Sequence, residues 1–204
     1  MNAEDILTEL KELSPNDKIT KSELMVILKK YARIISVNDL MLATARMRKD
    51  GEYVQANYRE KYLKVYIKYF IMRMKEVKEK EDYVDTPIDK KAFDESFPML
   101  KRTFEKERLG NADDDKFPLI YVITALYTTF ILEEPIHPVG SEFPGKMFVE
   151  ERNGQYYCPV KGNRVHGFVE IRLFGSSAKI FYVCCHFIEV FFVKITAVCC
   201  HHFA

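Results

Sequence analysis

The side chains best equipped for chemistry crowd toward the end of this 204-residue chain. Cys158 stands alone, while the other four cysteines form two adjacent pairs, Cys184-Cys185 and Cys199-Cys200. His186 follows the first pair, His201 and His202 follow the second, and His137 precedes Cys158. Thiolate sulfur and imidazole nitrogen are the donors that zinc and iron–sulfur clusters select. Cys158 and His137, joined by Cys184, Cys199 and His201 from the tail, are therefore the candidate metal ligands. Adjacent cysteines in an extended strand point to opposite faces, so each pair offers one ligand in most geometries. Cys158, one cysteine from each pair and His201 or His202 would make a three-thiolate, one-histidine set, though the spacing follows no standard pattern. By themselves Cys158 and His137 are two ligands, too few for a structural metal. The plainer reading is a loop-capping histidine and a small buried thiol. The same two side chains could also serve as nucleophile and base, but no third group or oxyanion hole accompanies them. Glu134 and His137 spell E-x-x-H, which di-iron carboxylate proteins set on one helical face. Pro135 and Pro138 argue against a helix there. No phosphate-binding glycine loop and no nucleophile elbow is present.

These residues need elements to position them. Ile6, Leu7, Leu10 and Leu13 mark an amphipathic helix that stops at Ser14-Pro15. Thr20 with Glu23, and Ser36 with Asp39, have capping-box spacing ahead of two further helices, the second closed by Asp50-Gly51. Glu52 to Glu81 is the longest helical stretch, with two apolar stripes side by side. One holds Val54, Tyr58, Tyr62, Val65, Tyr69 and Met72; the other holds Leu63, Ile67, Phe70, Met74 and Val77. A face that wide packs against two neighbours, which makes this helix the expected spine of a bundle. The tyrosines would be core, or else line a pocket. On the polar side Lys61, Lys64, Lys68 and Lys75 fall near one line, as a phosphate-binding stripe or as a solvated face diluted by Glu60, Glu76, Glu79 and Glu81. After a linker at Tyr83 to Pro87, a helix starts at Ile88 or Asp89, and Pro98 is expected to kink or split it. It should end at Gly110, before an acidic loop. Phe117 to Leu132 is apolar on all sides and favours a buried helix over a strand. Prolines and glycines from Pro135 to Gly145 force an extended arm. Asn153-Gly154 between Met147–Glu151 and Gln155–Val160 predicts a β-hairpin with Cys158 on its second arm.

Phe117 to Gly145, reading FPLIYVITALYTTFILEEPIHPVGSEFPG, followed by YYCPV at Tyr156 to Val160, resembles the family called domain of unknown function 2115. DTPID at Asp85 to Asp89 is similar to it too. The resemblance covers residues 1 to 161 and implies a cytosolic protein of methanogenic archaea, helical first and cysteine-bearing at its end, with no activity attached. It also implies that CPV is soon followed by a C-x-x-C pair, giving three thiolates in all. This chain departs there. Residues 162 to 204 contain no C-x-x-C and hold six charged residues in 43, against 55 in the first 161. They also hold seven of the fifteen phenylalanines. A surface segment under selection is not built this way, so the tail reads as out-of-frame or replaced sequence. A C-x-x-C in another reading frame just after codon 161 would establish that.

Bulk properties bound the rest. A net charge of +1 with 30 % charged residues gives no electrostatic reason to expect nucleic acid or an anionic membrane. The acidic start MNAEDILTEL is unlike a signal peptide, and no apolar run is long enough for a membrane span. A cytoplasmic location is expected. The expected fold is mainly α: a helical bundle of roughly five to seven helices over residues 1–134, then an arm with a small hairpin over 135–161, then the atypical tail 162–204. Three functions compete. The first is a metal-binding structural or interaction protein of zinc or iron–sulfur type, its site incomplete in this chain. The second is an enzyme using Cys158 and His137. The third is a nucleic-acid or protein adaptor using the Lys61–Lys75 face. A protein partner or a homo-oligomer would suit the first and third.

Overall fold

A computed structural model of the chain describes residues 3–53, 56–108, 116–135, 137–143 and 146–157. Helices come first: α1 (Ala3–Leu13), α2 (Lys21–Arg33), α3 (Val37–Asp50), a short 3-10 turn (Gly51–Tyr53), α4 (Ala56–Glu79), α5 (Lys90–Arg108) and α6 (Phe117–Leu126). The last runs on into a π-helical turn, Tyr127–Leu132. Two small antiparallel sheets follow, β1 (Glu142–Phe143) with β2 (Met147–Phe148), and β3 (Glu150–Arg152) with β4 (Gln155–Tyr157). The mainly α class with a small hairpin holds. Val54, Gly110, most of the acidic loop and residues 158–160 of the hairpin's second arm lie outside the described residues.

Local chemistry sets the helix ends. Thr20 accepts the Glu23 amide at 3.3 Å while the Glu23 carboxylate accepts the Thr20 amide at 2.7 Å. Ser36 and Asp39 repeat the arrangement at 3.1 and 2.7 Å. Gly51 does close α3, but in an ordinary right-handed conformation, φ −73°. Space explains it better than a left-handed turn does. A Cβ there would sit 2.5 Å from Leu63 Cδ2 on α4. The linker at DTPID is a clasp: the Lys21 amide donates to Thr86 O at 3.0 Å, and the Ile88 amide to Ile19 O at 2.8 Å. Asp85 caps α2 through the Ser22 amide at 3.0 Å, a bond that holds its carboxyl below the usual range.

The centre of the body is α6. Every one of its residues is buried, and each of the other five helices packs on it. The spine expected in α4 is thus one layer further out, since α4 buries one stripe against α2, α3 and α6. Leu63, Ile67, Phe70, Met74 and Val77 are buried as expected, with Tyr66 and Arg73 among them. The parallel stripe is shallower: Tyr62, Val65 and Tyr69 are half-buried and Met72 is exposed. Helix α5 is continuous through Pro98, contrary to a split. Pro98 faces solvent.

The hairpin turns at Asn153 and Gly154, both with positive φ (53° and 74°), as a tight two-residue connection demands. Its register pairs Glu150 with Tyr157 and Arg152 with Gln155. Val149 interrupts the expected long first arm. It is buried, and its amide donates to Ser141 O at 3.0 Å while its carbonyl accepts the Gly140 amide at 2.8 Å.

Candidate functional site

Spacing on α4 builds the most polar part of the interior. Tyr66, Tyr69 and Arg73 recur at helical intervals, so they share one face. The arm lays His137 on that face. The imidazole centroid is 5.9 Å from Tyr66, tilted by 50°, and 6.5 Å from Tyr69, edge-on at 78°. His137 is 3 % exposed. One turn further along α4, Arg73 is clamped by two carboxylates, Glu76 Oε2 at 2.8 Å from Nη1 and Glu134 Oε2 at 3.2 Å from Nη2. Glu134 immediately precedes the arm and Glu76 lies on α4, so the guanidinium ties the root of the arm to that helix. Arg73 Nε and the Tyr127 hydroxyl are buried without a hydrogen-bond partner among the described residues. At the turn before the arm, Glu133 takes a left-handed conformation, φ 58°, and pairs with Lys21 at 3.3 Å. Lys21 also donates to Ile131 O at 3.1 Å, a cation at the negative end of a helix.

The electrostatics follow from burial and from Arg73. Burial chiefly, then the Arg73 charge, depress His137 from its ordinary 6.5 to about 4. The imidazole is therefore neutral across the physiological range. Burial pushes the Tyr127 phenol up, and Glu76 adds to the effect. Tyr156 on β4 is raised by burial, then by Glu134 and Glu151. Wide π-helical turns are frequent beside functional positions. Here Thr124 and Thr128 return their hydroxyls to carbonyls one turn back, each at 2.9 Å.

The E-x-x-H pair now has a role that sequence spacing did not suggest. Glu134 and His137 share no helix, yet both meet α4 near Arg73, one as its ion-pair partner and one within reach of its charge. Among the described residues no three His, Cys, Asp or Glu side chains converge as a metal site would require. Cys158, Cys184, Cys185, His186, Cys199, Cys200, His201 and His202 lie outside the described residues. The lysine stripe is partly neutralised. Lys61 pairs with Glu142 on β1 and Lys75 lies 3.9 Å from Glu79. Lys68 rests 5.2 Å from the Tyr69 ring, and Lys64 is exposed. Arg73 and Tyr66 were not anticipated, although an arginine in phase with Tyr66, Phe70 and Val77 is a usable signal. Among the described residues no helix is long and apolar enough to cross a membrane.

A helical body with an arm seated through a buried histidine is the class of molecule these features define. The model of a family of uncharacterised proteins conserved in archaea (DUF2115) matches residues 20–168, and the chain belongs to that family. It is 30 % identical over 146 residues to the UPF0305 protein of Methanocaldococcus jannaschii, covering 71 % of this chain and 87 % of that one. A UPF0305 protein of Methanothermobacter thermautotrophicus is 27 % identical over 148 residues, 72 % of this chain and 89 % of its own. No solved structure matches. The family match ends at residue 168, leaving most of the tail outside it.

Proposed function

We propose that this chain comes from a line of structural or interaction proteins that bind metal through soft donors at the end of the arm, a site this chain, lacking the C-x-x-C, keeps only in part, with the helical body holding that arm in place. The seat of His137 carries the reading. Tyr66, Tyr69 and the Arg73–Glu134 pair fix the segment from which the hairpin springs, and Cys158 follows β4 directly in the chain. Thiolates suit zinc or an iron–sulfur cluster. Cys158 would be the first ligand, and Cys184, Cys199 and His201 are the further donors this tail offers. His137 suits the role least. The guanidinium of Arg73 already acts on it, and a second cation there would be repelled. Its part is to anchor the arm.

An enzyme using Cys158 and His137 has less support. A base with a pKa of about 4 must take a proton from a thiol of ordinary pKa about 8.5, which is uphill by about 6 kcal/mol. Elemental analysis of the purified chain, of Cys158→Ser and of the M. jannaschii relative tests the metal reading. Stoichiometric zinc or iron in the relative, and any metal in this chain that Cys158→Ser lowers, would support it. Metal-free protein in both, with every thiol free to react and a shape that ignores chelators, would sink it.

A further inference from the structure

Helix α3 touches the body by a narrow stripe: of its fourteen residues, Ala43 and Met47 are the buried ones. Its outer side carries Val37 (75 % exposed), Met41 (65 %) and Leu42 (59 %), with Ala45 exposed beside them. Val37, Met41 and Ala45 recur every fourth residue, and Leu42 widens the line they make. Scattered exposed hydrophobics need no explanation, but clustered ones mark contact surfaces. Among the described residues eight large hydrophobics are exposed, and three of them lie within these six positions.

Charge decides what fits there. Arg48 and Lys49 bracket the C-terminal end of the apolar line, and Arg33 stands four residues before Val37. All three are exposed, and none enters an ion pair among the described residues. The acids of α3 are engaged elsewhere, Asp39 in its capping box and Asp50 with Arg46. We propose that the outer face of α3 is a docking surface for an acidic amphipathic helix of a partner protein. A second copy of this chain fits poorly. Parallel pairing would set Arg48 against Arg48, and antiparallel pairing would bring Arg48 toward Arg33. The chain's own tail carries four basic and two acidic residues, so it offers no complement either. The line is one helix wide and lacks the aromatic residues that favour a lipid headgroup layer. A helix with a leucine seam flanked by glutamates matches both its width and its sign. The surface belongs to α3, which packs on α4 and α6 and supplies none of the proposed metal donors, so its failure and that of the metal reading are separate results.

The test uses two synthetic helical peptides with one leucine seam, glutamate-flanked in the first and lysine-flanked in the second. Amide shifts of the full chain and fluorescence anisotropy are followed during titration. The acidic peptide should bind, with shifts confined to Val37–Lys49. Arg48→Glu with Lys49→Glu should weaken it about tenfold or more, and Leu42→Asp should do likewise; neither touches the core, and unchanged circular dichroism would confirm the fold. The proposal is overturned if both peptides bind alike, if α3 amides stay still up to millimolar peptide, or if neither variant matters. Dimers in sedimentation that Leu42→Asp dissolves would overturn it in favour of self-association. Pelleting with phosphatidylserine vesicles that Leu42→Asp abolishes would overturn it in favour of a membrane.

Discussion

Removing the imidazole of His137 should flatten the pH dependence of stability between neutrality and pH 5. The folded chain holds this ring neutral, with a pKa of about 4, while in the unfolded chain it returns to about 6.5. Between those values the unfolded state binds more protons, so stability must fall as the solution is acidified. The contribution is complete above pH 6.5 and lost as pH drops through 4. Integrated from pH 7 to pH 5, the loss is about 2 kcal/mol, or roughly 4–8 °C in Tm for a chain of this size. Among the described residues Tyr66 and Tyr69 of α4 meet the ring, and Arg73, held by Glu76 and Glu134, acts on it through its charge. Comparing the slopes of parent and variant isolates the ring's own contribution. Urea unfolding of the parent and of His137→Leu at pH 5, 6 and 7 gives those slopes. Direct observation of the imidazole resonance gives the midpoint. An unchanged slope in the variant, or a midpoint near 6.5, would refute the reasoning.

Arg73→Met should move the His137 midpoint upward but leave it below 6.5, because burial is the larger cause; an imidazole titration decides. The same variant should lose about 1–2 kcal/mol, less than a fully buried pair would, since Glu76 and Glu134 keep about a third to a half of their surface in water. Gly51→Ala should cost about 1 kcal/mol or more in chemical denaturation by driving a methyl into Leu63, and Leu63→Val in the same chain should return part of it. Pro98→Ala should raise the melting temperature, since an internal helical proline costs up to about 3 kcal/mol and this one faces solvent.

Most of the body was legible because its signals are local. Capping pairs at Thr20 and Ser36, the apolar run from Phe117 and the Asn-Gly turn each act within a few residues, and each appears where expected. What escaped depends on distant partners. The clasp between Asp85 and Ser22, the ion pair of Arg73 with Glu134, and the reason for Gly51 join positions far apart in sequence. Periodicity placed Leu63, Ile67 and Phe70 inside, but could not say that Arg73 would be inside too, because its compensation comes from the root of the arm. His137 stood out in the sequence as a donor. Its seat against Tyr66 and Tyr69 follows from the path of the arm after Glu133.

Placing the hub of the body in α6 has a consequence for biosynthesis. The ribosome releases five amphipathic helices before the one they all rest on. Until residues 117–132 emerge, Phe70 lacks its stacking partner Phe117, and α1 to α5 lack the helix on which all of them pack. The nascent chain must therefore either stay loosely collapsed or be shielded by a chaperone for most of its synthesis. Premature termination anywhere upstream of α6 would yield a sticky fragment rather than a smaller folded unit.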